Sequence, residues 1–284
     1  VIFFKKKITK NEKFNIPVIC VGNIYIGGTG KTPTSIYLAN ELTKLSKNPA
    51  ILRKYYKNHI DEHNLIRKNF KNLILDRNRV NGIAKAVEDN YDSVILDDGL
   101  QDYKIKKDLS IVCFNHNQLI GNGLVLPSGP LRENLSSLKN VDIILINGIK
   151  NIRFEKKILH INQNLKIFYS QYKPVNIKQF KNKKLLAIAG IGNPDNFFHL
   201  IKENNLNIKK QLAFPDHYLF TKPEIQNIIK EANNKNYQII MTEKDYFKIK
   251  DFNLSKVEYL KVVLEINEKE RFIKTITKIY DKKN

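Results

Sequence analysis

The sequence predicts an α/β fold in which a doubly wound, mainly parallel sheet is joined to a second, smaller α/β domain. Short apolar runs of strand length alternate with amphipathic segments of helix length through most of the chain, a pattern typical of parallel sheets. A glycine-rich segment follows the first apolar run, and a pair of aspartates follows a later one. Because ligands bind at the loops that follow parallel strands, these two segments predict a binding site on the first sheet.

The first strand and the segment after it have the form of a phosphate-binding loop. Residues 17–21 are an apolar run, and an amphipathic segment that begins at Lys31 and Thr32 ends near residue 45. The residues assigned to the phosphates are Gly27, Gly28, Thr29, Gly30 and Lys31. Glycines let backbone N–H groups approach a β-phosphate, Lys31 reaches the β- and γ-oxygens, and the Thr32 hydroxyl is placed to bind Mg²⁺. Tyr25 stands where the Walker A spacing has its first glycine, but strand and helix flank the loop correctly, so we predict a P-loop NTPase-like domain.

Two further strands are predicted before the aspartate pair. Residues 49–54 form an apolar run, and a polar stretch containing Asp61 follows it. A short strand at 73–75 precedes a helix at about 80–88. Loops after strands are where sites form in this architecture, so the stretch around Asp61 is a candidate site.

The aspartate pair has the form of a Walker B site. The compact apolar strand at 93–96 leads directly into Asp97 and Asp98. Such carboxylates emerge at the sheet edge beside the phosphate loop and can hold Mg²⁺ directly or through water. A pair of this kind is often only a turn, but the phosphate loop upstream favours a metal site.

A segment dense in glycine and proline lies at 121–133, between two more predicted strands at 110–114 and 141–146. A loop of this composition holds a fixed shape. Arg132 could clamp a phosphate with two hydrogen bonds and Glu133 could orient it. The alternative is a pair at a helix start with no ligand, and spacing alone does not separate the two.

The second domain begins after a stretch at 150–184 in which the pattern weakens and basic residues accumulate. We therefore divide the chain into domains at 17–150 and 151–284. Predicted strands lie at 185–189, 237–241 and 257–265, and predicted helices at 194–203, at 222–233 and from about 269. Two polar segments stand out, His217 after a proline turn and the charged run at 242–245. A lone histidine usually completes a hydrogen bond and a charged run usually faces solvent, so spacing alone leaves their roles open.

The formal net charge of +21 favours an anionic partner. Nucleic acid, an anionic membrane surface and a phosphorylated substrate all fit such a field. No apolar run approaches 18 residues, so no transmembrane helix is predicted. Residues 1–16 combine an apolar cluster with lysines and could form a membrane-surface segment or a frayed basic end. Cys20 and Cys113 lie in apolar runs and are expected to be buried thiols.

Six segments of the chain match the motifs of one known family in the family's own order. They are VGNIYIGGTGKTP at 21–33, DDGLQD at 97–102, GNGLVLPSGPLRE at 121–133, AGIGNPDNFF at 189–198, FPDHYLFT at 214–221 and MTEKD at 241–245. Together they resemble the tetraacyldisaccharide 4′-kinases, the lipid A 4′-kinases. The match at 121–133 is far more specific than a phosphate loop alone. The family's loop also lacks a glycine at the place of Tyr25.

The resemblance implies ATP-dependent phosphorylation of the 4′-hydroxyl of a tetraacylated glucosamine disaccharide 1-phosphate, with Mg²⁺. It places the protein peripherally at the cytoplasmic face of the bacterial inner membrane. The resemblance assigns Lys31 to the transferred phosphoryl group and assigns magnesium to Thr32, Asp97 and Asp98. Arg132 and Glu133 are candidates for substrate contact, and so is Asn122 of the same loop.

An Asp–His pair for the acceptor hydroxyl is also implied, and it corresponds here to Asp61 and His217. Because the two lie in different predicted domains, we expect them to meet only if the halves close over the substrate. The family's S-R-G-Y and G-D-E-P segments correspond to 52–55 and 60–63, where both glycines are missing. Asp102 stands where the family has histidine.

Two other function classes compete with the kinase. A P-loop ATPase or GTPase switch would bind nucleotide without phosphorylating a small molecule, but a GTPase should show an N-K-x-D motif and none occurs. A basic nucleic-acid-binding protein would explain the charge, but no aromatic-basic RNA-binding motif or zinc-finger spacing is present. We therefore predict no nucleic-acid partner, and we infer no obligate protein partner.

Overall fold

A computed structural model describes residues 11–57, 59–252, 254 and 256–281. It confirms the predicted α/β class, with a large, mostly parallel sheet of eight strands and a second parallel sheet of four strands. In the described chain the strands are β1 (Val18–Gly22), β2 (Pro49–Lys54), β3 (Leu73–Asp76), β4 (Ser93–Asp97), β5 (Leu109–Asn115), β6 (Ile143–Asn147), β7 (Lys166–Pro174), β8 (Lys184–Ala189), β9 (Asn207–Ala213), β10 (Gln238–Thr242), β11 (Val257–Leu260) and β12 (Val262–Ile266).

The described α-helices are α1 (Lys31–Lys44), α2 (Ile60–Asn69), α3 (Arg79–Glu88), α4 (Ile152–Ile161), α5 (Pro194–Glu203), α6 (Lys222–Asn234), α7 (Glu243–Ile249) and α8 (Lys269–Thr277). Short 3₁₀ turns lie at Leu135–Asn140, Ile177–Gln179 and Lys250–Phe252. Helix α1 turns the side chains of Leu38, Ala39 and Leu42 into the protein interior, as an amphipathic helix does when it covers a sheet.

The large sheet has the strand order β12-β7-β6-β5-β1-β4-β2-β3. Strand β1 pairs in parallel with β4 on one side and with β5 on the other, and β4 pairs in parallel with β2. The register sets Val21 of β1 and Arg53 of β2 beside Asp97 of β4. The carboxyl ends of these three strands therefore meet at one sheet edge, where an α/β sheet of this kind binds ligands.

The small sheet has the order β11-β10-β8-β9, and all of its pairings are parallel. Its central strands β8 and β10 are apolar, and their side chains are buried on both faces. Phe197 and Phe198 of α5 pack on one cluster of these side chains, and Ile225 of α6 packs on another. Burial on both faces explains why these strands read as continuous apolar runs.

The chain divides into two compact units that differ from the predicted domains. Unit 1 comprises Val1–Tyr55, Asn69–Gln171 and Leu264–Asn284, and unit 2 comprises Tyr56–Lys68 and Tyr172–Val263. The predicted boundary at residue 150 is too early, because β7 continues the large sheet beside β6. The chain also returns to unit 1 at its end and leaves it briefly at 56–68, which a single boundary cannot represent.

Several predicted elements differ from those observed. The polar stretch around Asp61 is helix α2, and the predicted strand at 257–265 is divided at Lys261 into β11 and β12. Strands β7 and β9 were not predicted, because exposed polar residues alternate with partly buried ones along them and weaken the apolar signal. Cys20 and Cys113 are buried, as predicted, and burial raises their pKa to about 11 and about 12.

The predicted membrane-surface segment at 1–16 lies mostly outside the described residues, which begin at 11. In its described part, Glu12 forms an isolated parallel bridge with Ile105. None of the described helices combines the length and the apolar character needed to cross a membrane.

Candidate functional site

The loop between β1 and α1 has a backbone suited to binding an anion. Gly28 and Gly30 have φ of 68° and 89°, in the left-handed region that residues with a Cβ rarely adopt. Gly30 immediately precedes α1, and the first turn of this helix has no side-chain cap. N–H groups at the start of α1 are thus available to a ligand, and the helix dipole favours negative charge there.

The threonines of this segment have different partners. Thr29 Oγ1 accepts a hydrogen bond from Asn23 Nδ2 at 2.9 Å, so its side chain shapes the loop. Thr32 Oγ1 donates to Asp97 Oδ2 at 3.1 Å. Ser35, one turn further along α1, donates to Asp97 Oδ1 at 3.0 Å. The aspartate at the end of β4 therefore joins the sheet to the helix that follows the phosphate loop.

Asp97 is fully buried and is paired with an arginine from the neighbouring strand. Arg53 donates from Nη1 to Asp97 Oδ2, and this nitrogen also lies 3.4 Å from Thr32 Oγ1. Arg79 supports the same turn from α3, because its Nη2 donates to the backbone oxygens of Asp97 and Asp98 at 3.2 and 2.6 Å. A buried carboxylate needs such a partner, since breaking a buried pair costs about 3–5 kcal/mol.

Asp98 follows the strand with a φ of 56°, in the left-handed region. It accepts hydrogen bonds from Arg132 Nη1 at 3.0 and 3.1 Å and lies 3.8 Å from Lys31 Nζ. Burial alone would raise the pKa of Asp98, but the charges of Lys31 and Arg132 outweigh it and lower that pKa. Burial lowers the pKa of Lys31, while Asp98 opposes this effect.

The oxygen atoms beside the phosphate loop fit Mg²⁺. The Thr32 hydroxyl and the Asp97 carboxylate are hard oxygen donors 3.1 Å apart, close to the spacing of adjacent ligands in an octahedral shell with bonds of about 2.1 Å. Asp98 adds a second carboxylate that Lys31 and Arg132 hold in place. These residues therefore form a set of oxygen donors of the kind that Mg²⁺ prefers, with Arg53 sharing the Asp97 carboxylate.

The loop at 121–133 connects to this cluster through its last two residues. Arg132 joins Asp98 to the phosphate-loop segment, because its Nη2 donates to the backbone oxygen of Ile26 at 3.0 Å. Glu133 is buried and accepts from Gln101 Nε2 at 3.0 Å. Asn122 uses both ends of its amide inside the loop, donating to the Ser128 oxygen and accepting from the Leu124 N–H. Its amide thus shapes the loop.

Asp61 and His217 lie together in unit 2. Asp61 stands in the first turn of α2, His217 follows β9, and His217 Nδ1 is 3.5 Å from Asp61 Oδ2. The expectation that the two meet only on closure of two halves is corrected, because residues 56–68 leave the large sheet and pack in the same unit as His217. Within the described chain, neither Asp61 oxygen nor His217 Nδ1 has a hydrogen-bond partner, although all three atoms are buried.

Two lysines face the Asp61 carboxylate. Lys244 Nζ lies 3.7 Å and Lys248 Nζ lies 4.0 Å from Asp61 Oδ2. Burial would raise the pKa of Asp61, but the contact with His217 and the charges of both lysines outweigh burial and lower it. Lys244 also contacts Glu62 at 3.3 Å and Asp216 at 3.1 Å. Asp61 is therefore an ionised, buried carboxylate with unused lone pairs.

A second imidazole lies against His217. The rings of His59 and His217 stack with centroids 4.4 Å apart and planes inclined by 16°, and His59 Nδ1 is 3.3 Å from Glu62 Oε2. One ligand atom from each of these three side chains lies within 4.8 Å of the others, as in a metal site. Two nearly parallel rings do not share an in-plane ligand position, so binding one ion would require one ring to rotate. The observed arrangement is that of a ring pair.

The charged run at 242–245 divides into structural and site-facing residues. Asp245 is fully buried and accepts hydrogen bonds from the Gly190 N–H, the Thr242 hydroxyl and Lys248 Nζ. Its role is to hold the loop after β8 and to position Lys248. Lys244 instead reaches the acidic residues around Asp61. The run is thus neither a simple solvated face nor a uniform ligand contact.

Several residues of both clusters were not predicted as site residues. They are Arg53, Ser35, Arg79, His59 and Lys248. The sequence could have indicated two of them, because Arg53 lies near the carboxyl end of β2 and Arg79 lies just after β3, and site residues are expected at such positions. No local signal distinguishes Lys248 or His59. Asp102, which stands where the resembled family has histidine, lies with its Oδ2 3.7 Å from Arg79 Nη1.

Comparison with known proteins points to one family. The chain matches the LpxK family, described as tetraacyldisaccharide-1-P 4′-kinase, over residues 1–281. It is 40% identical over 285 residues to a tetraacyldisaccharide 4′-kinase of Pelagibacter ubique (strain HTCC1062), covering 97% of this chain and 90% of that protein. It is 32% identical over 295 residues to the enzyme of that name from Francisella tularensis subsp. novicida (strain U112), covering 92% and 89% of the two chains.

A solved structure is also similar. The crystal structure of LpxK from Aquifex aeolicus in complex with ATP aligns with a TM-score of 0.72 and 25% identity, covering 98% of this chain and 92% of that one. The family match spans nearly the whole sequence and the relatives exceed 30% identity. The chain therefore belongs to the tetraacyldisaccharide 4′-kinase family.

Proposed function

We propose that the protein is a lipid kinase that transfers the γ-phosphoryl group of ATP to the 4′-hydroxyl of a tetraacylated glucosamine disaccharide 1-phosphate. The product would be lipid IVA, an intermediate of lipid A biosynthesis. Family membership supports the reaction, and the two charged clusters supply groups suited to its two halves. The enzyme would act peripherally at the cytoplasmic face of the bacterial inner membrane, where such a lipid is presented.

The first cluster holds the nucleotide phosphates. Phosphoryl transfer needs little covalent help, so the protein positions the phosphates and neutralises their charge. The N–H groups around Gly27–Gly30 would bind the β-phosphate, and Lys31 would reach the transferred group. When bound, Mg²⁺ would supply positive charge that offsets the charge of the phosphates. Thr32 and Asp97 would hold this ion, and Asp98 would keep Lys31 and Arg132 in place.

The second cluster activates the acceptor hydroxyl. The observation that carries the proposal is the Asp61 carboxylate, which is buried, ionised and without a hydrogen bond in the described chain, 3.5 Å from His217 Nδ1. A sugar hydroxyl is a poor nucleophile at neutral pH and gains from a positioned base. Either Asp61 takes the proton directly or it orients the His217 imidazole to do so. An ATPase switch has no need of such a pair.

Arg132 and Glu133 are proposed to contact or orient the substrate. Arg132 has a planar guanidinium already fixed by Asp98 and Ile26, and such a group recognises phosphate with two parallel hydrogen bonds. Glu133 is buried beside it and would act by orienting its neighbours. Asn122 would contribute by keeping the loop in shape.

The decisive experiment is a transfer assay with γ-³²P-labelled ATP and a purified tetraacyldisaccharide 1-phosphate in mixed micelles. We expect label in the lipid, dependent on Mg²⁺ and lost in the Lys31→Ala variant. Release of labelled phosphate without labelled lipid would instead support an ATPase switch. Tight binding of RNA or DNA that excludes the lipid would support a nucleic-acid-binding protein.

A further inference from the structure

Three neighbouring aliphatic side chains, Leu124, Val125 and Leu126, form what we call the apolar tip. Their exposed fractions are 53%, 40% and 54%. The surrounding residues 117–131 contain no charged side chain, although 27% of the residues in the chain are charged. Single exposed aliphatic residues are common, but three in succession within an uncharged segment are characteristic of a surface that is covered in function.

The apolar tip is held rigidly by hydrogen bonds within its loop. The Leu126 N–H donates to the Leu131 oxygen at 2.9 Å, and the Leu131 N–H donates to the Leu124 oxygen at 3.1 Å. The Gly129 N–H donates to the Val125 oxygen at 3.1 Å, and the Asn122 side chain closes the turn from the other side. These hydrogen bonds therefore hold the three side chains exposed before any partner binds, and binding would not have to order the loop.

The same loop is bonded to the phosphate-binding segment. The Ile26 N–H donates to the Pro130 oxygen at 3.0 Å, and Arg132 Nη2 donates to the Ile26 oxygen at 3.0 Å. Ile26 is itself 48% exposed and adds to the apolar surface. Both segments belong to unit 1. A surface that binds the apolar tip is therefore held at a fixed distance from the phosphate loop.

We propose that the apolar tip inserts into the hydrocarbon boundary of a lipid bilayer. This inference rests on the proposed function, because an acceptor with four acyl chains resides in such a boundary. A segment with no charge enters hydrocarbon without leaving an ion desolvated. The net charge of +21 draws the protein to an anionic surface from a distance, and the tip then contributes the part of the binding that salt does not screen.

A single tryptophan placed at the tip tests the insertion directly, because the chain has no tryptophan of its own. In the Leu126→Trp variant we expect blue-shifted emission on adding vesicles of phosphatidylcholine and phosphatidylglycerol at about 3:1, an anionic surface of the kind the charge favours. Quenching should follow when the phosphatidylcholine is brominated on its acyl chains. Ile149→Trp, at a residue 73% exposed in the same unit, is the control and should show neither change. If the Leu126→Trp variant binds vesicles with unchanged tryptophan emission, the proposal is overturned.

Loss of the aliphatic groups gives a second, independent measurement. The triple variant Leu124→Ser, Val125→Ser, Leu126→Ser should bind those vesicles roughly tenfold or more weakly in about 0.5 M salt, where screening leaves mainly the apolar contribution. The matched control replaces three exposed aliphatic residues elsewhere in unit 1, Val87, Ile149 and Ile152, with serine. Both triple variants should melt cooperatively. Equal vesicle binding by the two would contradict the inference.

The two proposals fail in different ways. If the Leu126→Trp variant inserts into vesicles but the wild-type protein transfers no phosphate to the lipid, the kinase assignment is wrong and the tip remains a membrane contact. If lipid is phosphorylated while the tryptophan stays in water, the kinase stands and the apolar tip is not the contact. Absence of all vesicle binding at low salt would also overturn the tip proposal.

Discussion

The two charged clusters of the protein differ in how closely other polar atoms approach the central carboxylate. Around Asp97 in unit 1, hydroxyls and a guanidinium donate directly to both carboxylate oxygens, and Thr32 and Ser35 do so at 3.1 and 3.0 Å. Around Asp61 in unit 2, the nitrogen atoms of His217, Lys244 and Lys248 lie 3.5 to 4.0 Å from Oδ2, and neither oxygen accepts a hydrogen bond in the described residues.

This difference fits the separate roles that we propose for the two clusters. A carboxylate that already accepts three hydrogen bonds, as Asp97 does, holds a helix or an ion in place and has little capacity to accept a proton. A buried carboxylate kept ionised by nearby cations, with lone pairs unused, can accept a hydrogen bond from an acceptor hydroxyl or from an imidazole that it orients. Both clusters place one residue in the left-handed region, Asp98 with a φ of 56° and His217 with a φ of 59°. Backbone strain of this kind is often found at functional sites.

The largest effect is expected at the cluster around Asp97. Lys31→Ala should lower kcat by roughly 10³-fold or more, because it removes the charge directed at the transferred phosphoryl group. Steady-state transfer assays measure the loss, and circular dichroism should show an unchanged melting transition within a few degrees. Lys85→Ala, at an exposed position of α3, is the matched control and should behave as wild type. Near-normal turnover by Lys31→Ala would remove the phosphate-loop assignment.

A somewhat smaller effect is expected at the cluster around Asp61. Asp61→Ala and His217→Ala should each lower kcat by about 10²- to 10⁴-fold, the usual contribution of general base catalysis, with little change in ATP affinity measured by calorimetry. If the two residues act as a unit, the double variant should lose little more than either single variant.

Asp61→Asn controls for the loss of packing volume and should be as inactive as Asp61→Ala. Fully additive losses would show that Asp61 and His217 have separate roles. An active Asp61→Ala variant would show that the correspondence of residues 60–63 to the family motif is wrong.

An effect of intermediate size is expected from the stacked rings of His59 and His217. His59→Ala should lower kcat by up to about tenfold, because an aromatic pair contributes about 0.5–1.5 kcal/mol to holding the His217 ring. His59→Phe keeps the ring but not its nitrogen atoms and should restore most of the rate. If His59→Phe is as impaired as His59→Ala, stacking is not the function of His59 and its contact with Glu62 is what matters.

The smallest effect concerns acid stability. The pKa of Asp98 is lowered in the folded protein by Lys31 and Arg132 despite burial, so its ionised form stabilises the fold above the unfolded-state pKa of about 3.9. This contribution is lost as the pH falls through the lower, folded-state pKa. The Tm difference between wild type and Asp98→Asn should therefore be largest near pH 7 and shrink below about pH 4, as followed by thermal denaturation. A difference that grows on acidification would contradict the direction of the shift.

Much of unit 1 could be predicted from the sequence because its signals are local. Each of its main features lies within one short segment: the strand at 17–21, the glycines before Lys31 and the strand leading to Asp97. Hydrophobic periodicity and turn-forming residues can be recognised within such segments. The structure gives β1 as Val18–Gly22 and α1 as Lys31–Lys44, close to the predicted bounds. The α/β class and the mainly parallel sheet followed from the same local patterns.

The fold class, the glycine-rich loop between the first strand and helix, and the aspartates at the end of a strand could all be predicted from the sequence, since each depends on neighbours along the chain. Three further facts are visible only in the three-dimensional structure: Arg53 stands opposite Asp97, residues 56–68 join Asp61 to His217 in unit 2, and β7 belongs to the large sheet. These facts depend on strand register and on where the chain crosses between units. Such contacts join residues far apart in sequence, and packing of the whole chain selects them where no local pattern does.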